Sequence, residues 1–170
     1  MSYPFSSLKQ LRRVHQRIKD RVHETPVFSS QSFNSRSGAQ AWFKCENFQR
    51  SGSFKFRGAL NAILSLSAEA KDAGVATHSS GNFAQAVALA AKLNGIDARI
   101  VMPENAPEIK KSAVKNYGGI VTECLPGLDN REKTMAKLIE KYGCTELHPS
   151  NQMEVIEGNS TIALELMDDF

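Results

Sequence analysis

Lys55 lies between two aromatic residues in the run Ser53-Phe54-Lys55-Phe56-Arg57-Gly58-Ala59, just before a helical pattern. Phe54 and Phe56 call for apolar cover, and Gly58 leaves room for another group to approach the backbone. A lysine drawn into such surroundings loses charge, because desolvation disfavours the ammonium form. The neutral amine condenses with an aldehyde to form a Schiff base. The plainer reading is a solvated lysine whose stem passes two core phenylalanines, since Lys is rarely buried in full. On this run alone, both readings stand.

A second constellation is Ser79-Ser80-Gly81-Asn82, two hydroxyls and an amide between a β-prone run and a helical one. Backbone N–H groups at a helix N-terminus lack partners, and the helix dipole there favours an anion. A carboxylate or phosphate would be held well, with Gly81 allowing close approach. The alternative is a plain N-cap by Asn82 preceded by two turn serines. Lys44, Arg50, Lys55 and Arg57 also interleave with Trp42, Phe43, Phe48, Phe54 and Phe56. That pattern could stack and neutralise single-stranded nucleic acid, but the helix after Gly58 argues against an exposed strand platform. His15, His23, His78 and His148 show no mutual spacing suited to a metal. His78 and His148 fall at strand ends, where they could line a cleft, although structural roles suit them better. Asp168-Asp169 reads as a solvated pair, and no two carboxylates share a strand end for acid/base work.

The elements that position these groups follow from periodicity. Leu8, Leu11, Val14, Ile18 and Val22 mark an amphipathic helix. The first nineteen residues hold five basic and no acidic side chains, but that apolar stripe makes them part of the fold rather than a transit peptide. Ser29 to Gln40 reads as a loop with a short turn, and Ala41 to Cys45 as a strand. Leu60, Ile63 and Leu64 continue the helix after Lys55. Four short strands are then expected at Val75–His78, Ala98–Met102, Gly119–Thr122 and Cys144–Leu147. Between them lie helices: one rich in alanine and closed by Gly95, one opening at Asn105-Ala106-Pro107-Glu108, and one capped by Asp129. Gly158-Asn159-Ser160-Thr161 leads into a last helix whose apolar face, with the sequence stopping at Phe170, is expected to lack cover. Strand–helix alternation implies an α/β fold, a parallel open sheet with flanking helices. Ligands bind such sheets beyond the carboxyl ends of the strands, where Ser79 to Asn82 lies.

Totals exclude little. The chain has 170 residues, 41% hydrophobic and 23% charged, with 21 basic against 18 acidic residues and a net charge of +3, too weak a bias to argue for nucleic acid. Cys45, Cys124 and Cys144 lack metal-ligand spacing and read as reduced, mostly buried thiols of a cytoplasmic protein. No apolar run approaches membrane-spanning length.

Taken together, the run around Lys55, Thr77-His78-Ser79-Ser80-Gly81-Asn82, and Ala106-Pro107 ahead of Lys110-Lys111 resemble one family. It is the pyridoxal-phosphate (PLP) enzymes of the tryptophan-synthase-β type, fold type II, in the serine/threonine dehydratase and serine racemase group. The resemblance runs from Glu46 to about Leu166. It implies that residues 1–73 begin a large domain, 74–150 form a small α/β domain, and 151–170 begin the return to an incomplete large domain. It implies that Lys55 forms the Schiff base with pyridoxal 5'-phosphate and shuttles the substrate α-proton. Phe54 would pack on the pyridine ring, and Asn82 would bond the ring hydroxyl. Ser79, Ser80, Gly81 and Asn82 would line the substrate carboxylate site. Ser80 also stands where serine racemases place the acid/base of the opposite face. The implied reaction is an ammonia-lyase converting L-serine or L-threonine to a 2-oxo acid and ammonia, with serine or hydroxyaspartate racemisation as the alternative.

Three departures qualify the resemblance. Phe83 replaces a histidine usual after the asparagine. Gly158-Asn159-Ser160-Thr161 replaces glycine-glutamine-glycine-threonine, which would stiffen that turn. The glycine-rich phosphate loop, the partner of the pyridine nitrogen and the acidic ligands of a divalent cation would all lie beyond Phe170. The expectation is therefore an N-terminal half, a homodimer only when full-length, with weak cofactor binding and little activity by itself.

Overall fold

The β-prone runs between residues 75 and 146 form the sheet that carries the serine turn. The computed structural model describes residues 7–169. Strands β3 (Val75–His78), β4 (Ala98–Pro103), β5 (Ile120–Cys124) and β6 (Thr145–Glu146) pair in parallel in the order β5-β4-β3-β6. Val75 registers with Ala98 on one side and with Thr145 on the other. Side chains alternate between faces. Val75, Ile100 and Met102 join the core under helix α5 (Asn82–Lys92), whereas Ala76 and Val101 meet Met135 of α7 (Leu128–Tyr142). Helices on both faces explain why the inner strands are nearly continuous in apolar residues. The chain moves from β3 to β4 to β5, then crosses back to place β6 on the far side of β3. The sheet therefore reverses its direction of winding between β3 and β6.

A helical layer packs against α5. It consists of α1 (Leu8–Ile18), α3 (Lys55–Leu64) and α8 (Met153–Asp169), whose buried residues include Val14, Ile18, Phe56, Leu60, Ile63, Val155 and Leu164. The short α6 (Glu108–Asn116) packs on α5 and β5, and α4 (Ala68–Ala73) leads into β3.

The structure departs from the sequence reading in several places. Ser29 to Gln40 is not a loop throughout: α2 (Gln31–Ser37) occupies it, its N-terminus held by Ser30 Oγ and its end by Gly38. A two-stranded antiparallel ribbon flanks it, β1 (Val27–Ser29) against β2 (Trp42–Lys44). Asn82 is the first helical residue and not the cap, which is Gly81. Pro107 and Gly127, rather than Asn105 and Asp129, precede α6 and α7. Residues 158–161 form no turn, because they lie inside α8. One face of α8 is covered by α1 and α3, with Val155, Gly158, Thr161 and Leu164 buried, while Ile162 and Leu166 are half-buried and Met167 is exposed. Of the cysteines, Cys124 and Cys144 are buried and Cys45 is half-buried, and all are free. The terminal pair is not fully solvated, since Asp169 accepts a hydrogen bond from Lys44 at 3.2 Å.

Gly58 and Gly158 explain the tight crossing of α3 and α8. A Cβ on Gly158 would stand 2.6 Å from the Arg57 carbonyl oxygen and 2.7 Å from Gly58 Cα. Both obstacles are backbone, which cannot swing aside. Gly158→Ala is expected to destabilise the fold by about 1–3 kcal/mol or more through overpacking. In a domain of this size each kcal/mol lowers Tm by about 2–4 °C. Calorimetry checks this, and an unchanged Tm would refute the account of the crossing.

Beside that seam lies a buried ion network. Arg57 is fully buried, and its guanidinium donates to both Glu46 oxygens at 2.9 and 2.8 Å and to Glu165 Oε2 at 2.9 Å. Lys44 Nζ reaches the same Glu165 oxygen at 2.9 Å, and Thr25 donates to Glu46 at 2.7 Å. Burial alone would push Glu165 up, but hydrogen bonds from Arg57 and Lys44 more than offset it and hold the carboxyl below its usual range. This network engages two of the four cations that the sequence interleaves with aromatics. Trp42, Phe43, Phe48 and Phe54 are exposed, but Arg57 faces the interior and Lys44 is committed to carboxylates.

Candidate active site

Lys55 is the first residue of α3. It follows a short 3-10 turn, Arg50–Gly52, in which Ser51 adopts φ +57°. Phe54, at the N-cap of α3, makes no side-chain cap bond; the Gly58 N–H in the first turns is met instead by Asn159 Oδ1 at 3.0 Å. Lys55 is half-buried rather than enclosed, and Phe54 is 40% exposed, so the expected apolar cover exists only on the Phe56 side. Lys55 Nζ donates to the Pro149 carbonyl at 3.0 Å and lies 5.0 Å from the Phe54 ring centroid. Among the described residues no carboxylate pairs with it, in contrast to Lys44 and Lys111. An open hollow of about 400 Å³ lies beside it, lined by Phe54, Lys55, Pro149, Ser150, Asn159 and Ser160 among others.

The Ser79–Asn82 turn closes the carboxyl end of β3. Ser79 Oγ accepts the Gly81 N–H at 3.3 Å, and α5 starts without a side-chain cap. Gly81 has φ −120°, which any residue adopts, and a Cβ there would meet nothing within 4 Å. Neither backbone strain nor packing therefore asks for glycine, and the space beside it is open to a ligand. Asn82 is exposed, Ser79 and Ser80 are half-buried, and Phe83 is buried in the core.

These residues do not line the Lys55 hollow themselves. They adjoin it through two imidazoles: His78 ends β3, His148 follows β6, and their rings stand edge to face at 6.2 Å. His148 then leads into Pro149, the hydrogen-bond partner of Lys55. The turn follows His78 in the chain and Pro149 follows His148, so both segments leave the β3/β6 reversal, the position where open α/β sheets bind ligands. Sequence reasoning missed Asn159, whose Oδ1 accepts the Gly58 N–H at 3.0 Å while its side chain lines the hollow. It also missed the Pro149–Ser150 loop, for which no local pattern gave a signal. Among the described residues, no group of three or more His, Cys, Asp and Glu side chains could hold a metal ion, and no helix is long and apolar enough to cross a membrane.

Among the described residues, then, a lysine without a counter-carboxylate lies beside an open hollow near the switch point of a parallel α/β sheet. The chain belongs to the family of pyridoxal-phosphate-dependent enzymes, whose family model matches residues 18–170. It is 44% identical to serine racemase of Dictyostelium discoideum over 162 residues, 95% of this chain and 50% of that protein. It is 47% identical to beta-hydroxyaspartate dehydratase of Paracoccus denitrificans over 155 residues, 91% of this chain and 49% of that protein. The fold matches maize serine racemase with a TM-score of 0.94 at 44% identity, covering 96% of this chain and 50% of that one. The chain spans about half the length of the curated relatives it matches. The residues present fit the family's cofactor in part: an amine beside an open hollow suits its aldehyde, and the unfilled space at Gly81 suits an anion.

Proposed function

We propose that this chain provides the lysine and the carboxylate-binding turn of a PLP-dependent enzyme acting on small β-hydroxy amino acids, eliminating water from L-serine or L-threonine. The observation that carries this reading is Lys55 Nζ, held by a carbonyl rather than by a carboxylate at the edge of the hollow. When bound, the cofactor supplies the electron sink that makes the substrate α-proton removable. Lys55 Nζ would hold the cofactor's aldehyde carbon and, once the substrate amine has displaced it there, would take that proton as a free amine. Phe54 would pack against the ring, and Asn82 would meet its hydroxyl. The turn of Ser79, Ser80, Gly81 and Asn82 orients the substrate carboxylate with N–H groups. Water leaves with the β-hydroxyl and another water enters on hydrolysis, so the net products are a 2-oxo acid and ammonia.

Racemisation is the second reading, and Ser80 is the residue that favours it. Its hydroxyl would carry the proton on the face opposite Lys55, whereas elimination needs one base only. The chain, alone and mixed with the second half of a relative, is incubated with pyridoxal phosphate and L-serine while 2-oxo acid and D-serine are both followed. Ser80→Ala is expected to abolish D-serine formation and to spare the 2-oxo acid. Equal loss of both products refutes the two-base reading, and absence of both in the unmodified, complemented chain refutes the proposed function.

A further inference from the structure

The loop that holds Lys55 is itself built around one imidazole. His148 Nδ1 accepts two backbone N–H groups, from Ser150 at 3.2 Å and Asn151 at 2.7 Å. The His148 backbone N–H donates to Gln152 Oε1 at 3.0 Å. A ring nitrogen that accepts two donors carries no proton, so the neutral ring has its hydrogen on Nε2. Pro149 has no N–H of its own. The ring therefore fastens the backbone on the far side of Pro149, the residue whose carbonyl receives Lys55 Nζ at 3.0 Å. A proton on Nδ1 would set N–H against N–H and release both bonds.

The ring is half-buried. It lines a second cavity of about 400 Å³ together with His78, Glu132, Glu146 and apolar residues of α7. His78 faces it edge on from β3, and His78 Nε2 stands 3.8 Å from Glu146 Oε1. His78 Nδ1 is buried without a partner among the described residues. One other imidazole, His78, and two carboxylates, Glu132 and Glu146, drawn from β3, α7 and β6, are thus the titratable groups that share this cavity with His148.

We propose that His148 is a positioning residue: with Nδ1 free of a proton it holds the 149–152 loop closed on Lys55, and protonation of the ring frees that lysine. The inference rests on Lys55 being the reactive amine of the proposed function, but its test does not require turnover. Hydrogen exchange of the Ser150 and Asn151 amides, and labelling of Lys55 by acetic anhydride with peptide mass analysis, are followed from pH 5 to 8, a range of about three units around the ordinary imidazole pKa. Three chains are compared: unmodified, His148→Asn and His148→Leu. Asparagine keeps a short acceptor able to receive the same N–H groups; leucine keeps none.

In the unmodified chain, exchange at both amides and labelling of Lys55, each divided by the rate of an unstructured reference peptide at the same pH, should rise together as Nδ1 takes up a proton, read by its ¹⁵N shift. His148→Leu should raise exchange roughly tenfold or more at the neutral end of the series, the scale set by losing such hydrogen bonds, and differ little from the unmodified chain once Nδ1 is protonated. His148→Asn should restore protection and remove the pH step. The proposal falls if leucine leaves exchange and labelling unchanged, or if asparagine behaves like leucine. Should the leucine variant not fold, the pH series of the unmodified chain decides: amides that stay protected after Nδ1 is protonated overturn it. Loss of enzymatic activity with intact coupling between His148 and Lys55 would count against the proposed function and not against this inference.

Discussion

Lys55→Ala is expected to remove the covalent, borohydride-reducible attachment of pyridoxal phosphate to this chain and to leave the fold intact. The lysine donates a single hydrogen bond, to Pro149, from a half-buried position, so its removal costs about 1 kcal/mol. The loss of chemistry is far larger. A positioned base contributes about 10²–10⁴-fold by proton transfer alone, and the variant also loses its point of attachment. Lys44 and Lys111 cannot substitute, because carboxylates hold both amines: Glu165 and Asp169 in one case, Glu108 and Glu123 in the other. Mass analysis after reduction should place the adduct on the Lys55 peptide only. An adduct of equal yield in Lys55→Ala would remove this residue from the centre of the site.

Arg57→Met should produce the largest loss of stability. It leaves Glu46 and Glu165 facing each other's former partner without its charge, and breaking one side of a buried ion pair costs about 3–5 kcal/mol. That is a large share of the 5–15 kcal/mol, roughly, that holds an ordinary domain together. The pH dependence carries the sign. Burial opposes the charged form of Glu165, yet Arg57 and Lys44 hold its carboxyl below the usual value. A depressed carboxyl stabilises the fold above its unfolded pKa, about 4.3, and that contribution is lost as pH falls through the lower folded value. Burial opposes the charge on Arg57 and Lys44 as well, and their carboxylate partners still raise both. Their contribution is complete at neutral pH and is lost only in strong alkali. The gap between unmodified chain and variant should therefore be widest near neutrality and narrow in acid. Denaturant titrations at pH 7 and at about pH 3, below the carboxylate range, measure it; a gap independent of pH would show that Arg57 acts by packing and not by charge.

The region from Val75 to Leu147 was legible because each strand and helix there carries its own period. Lys55 and the Ser79–Asn82 turn were legible because their chemistry is local. What failed to show has physical reasons. The Arg57 network joins residues 11 and 108 positions apart, so no window of sequence contains it. Gly158 and Asn159 were read as a turn on composition, whereas the glycine admits a neighbouring helix and the asparagine caps that helix's free N–H. Tertiary contact overrode propensity at that point. Helix α2 has little apolar periodicity, and only its ends, Ser30 and Gly38, announce it. The run left Lys55 open between burial and exposure, and the outcome lies between them: Phe54 turns outward and leaves the half-buried lysine at the edge of an open hollow.

The seam between α3 and α8 has a consequence for how the chain is made. Gly58 meets Asn159, 101 residues later. At a synthesis rate of about 5–20 residues per second, α3 waits roughly 5–20 s for its partner to be translated. Throughout that interval the groove around Gly58 stays open and Arg57 lacks Glu165. All four strands β3 to β6 precede α8 in the chain, so the sheet can be fully synthesised while the charged seam is still unfinished.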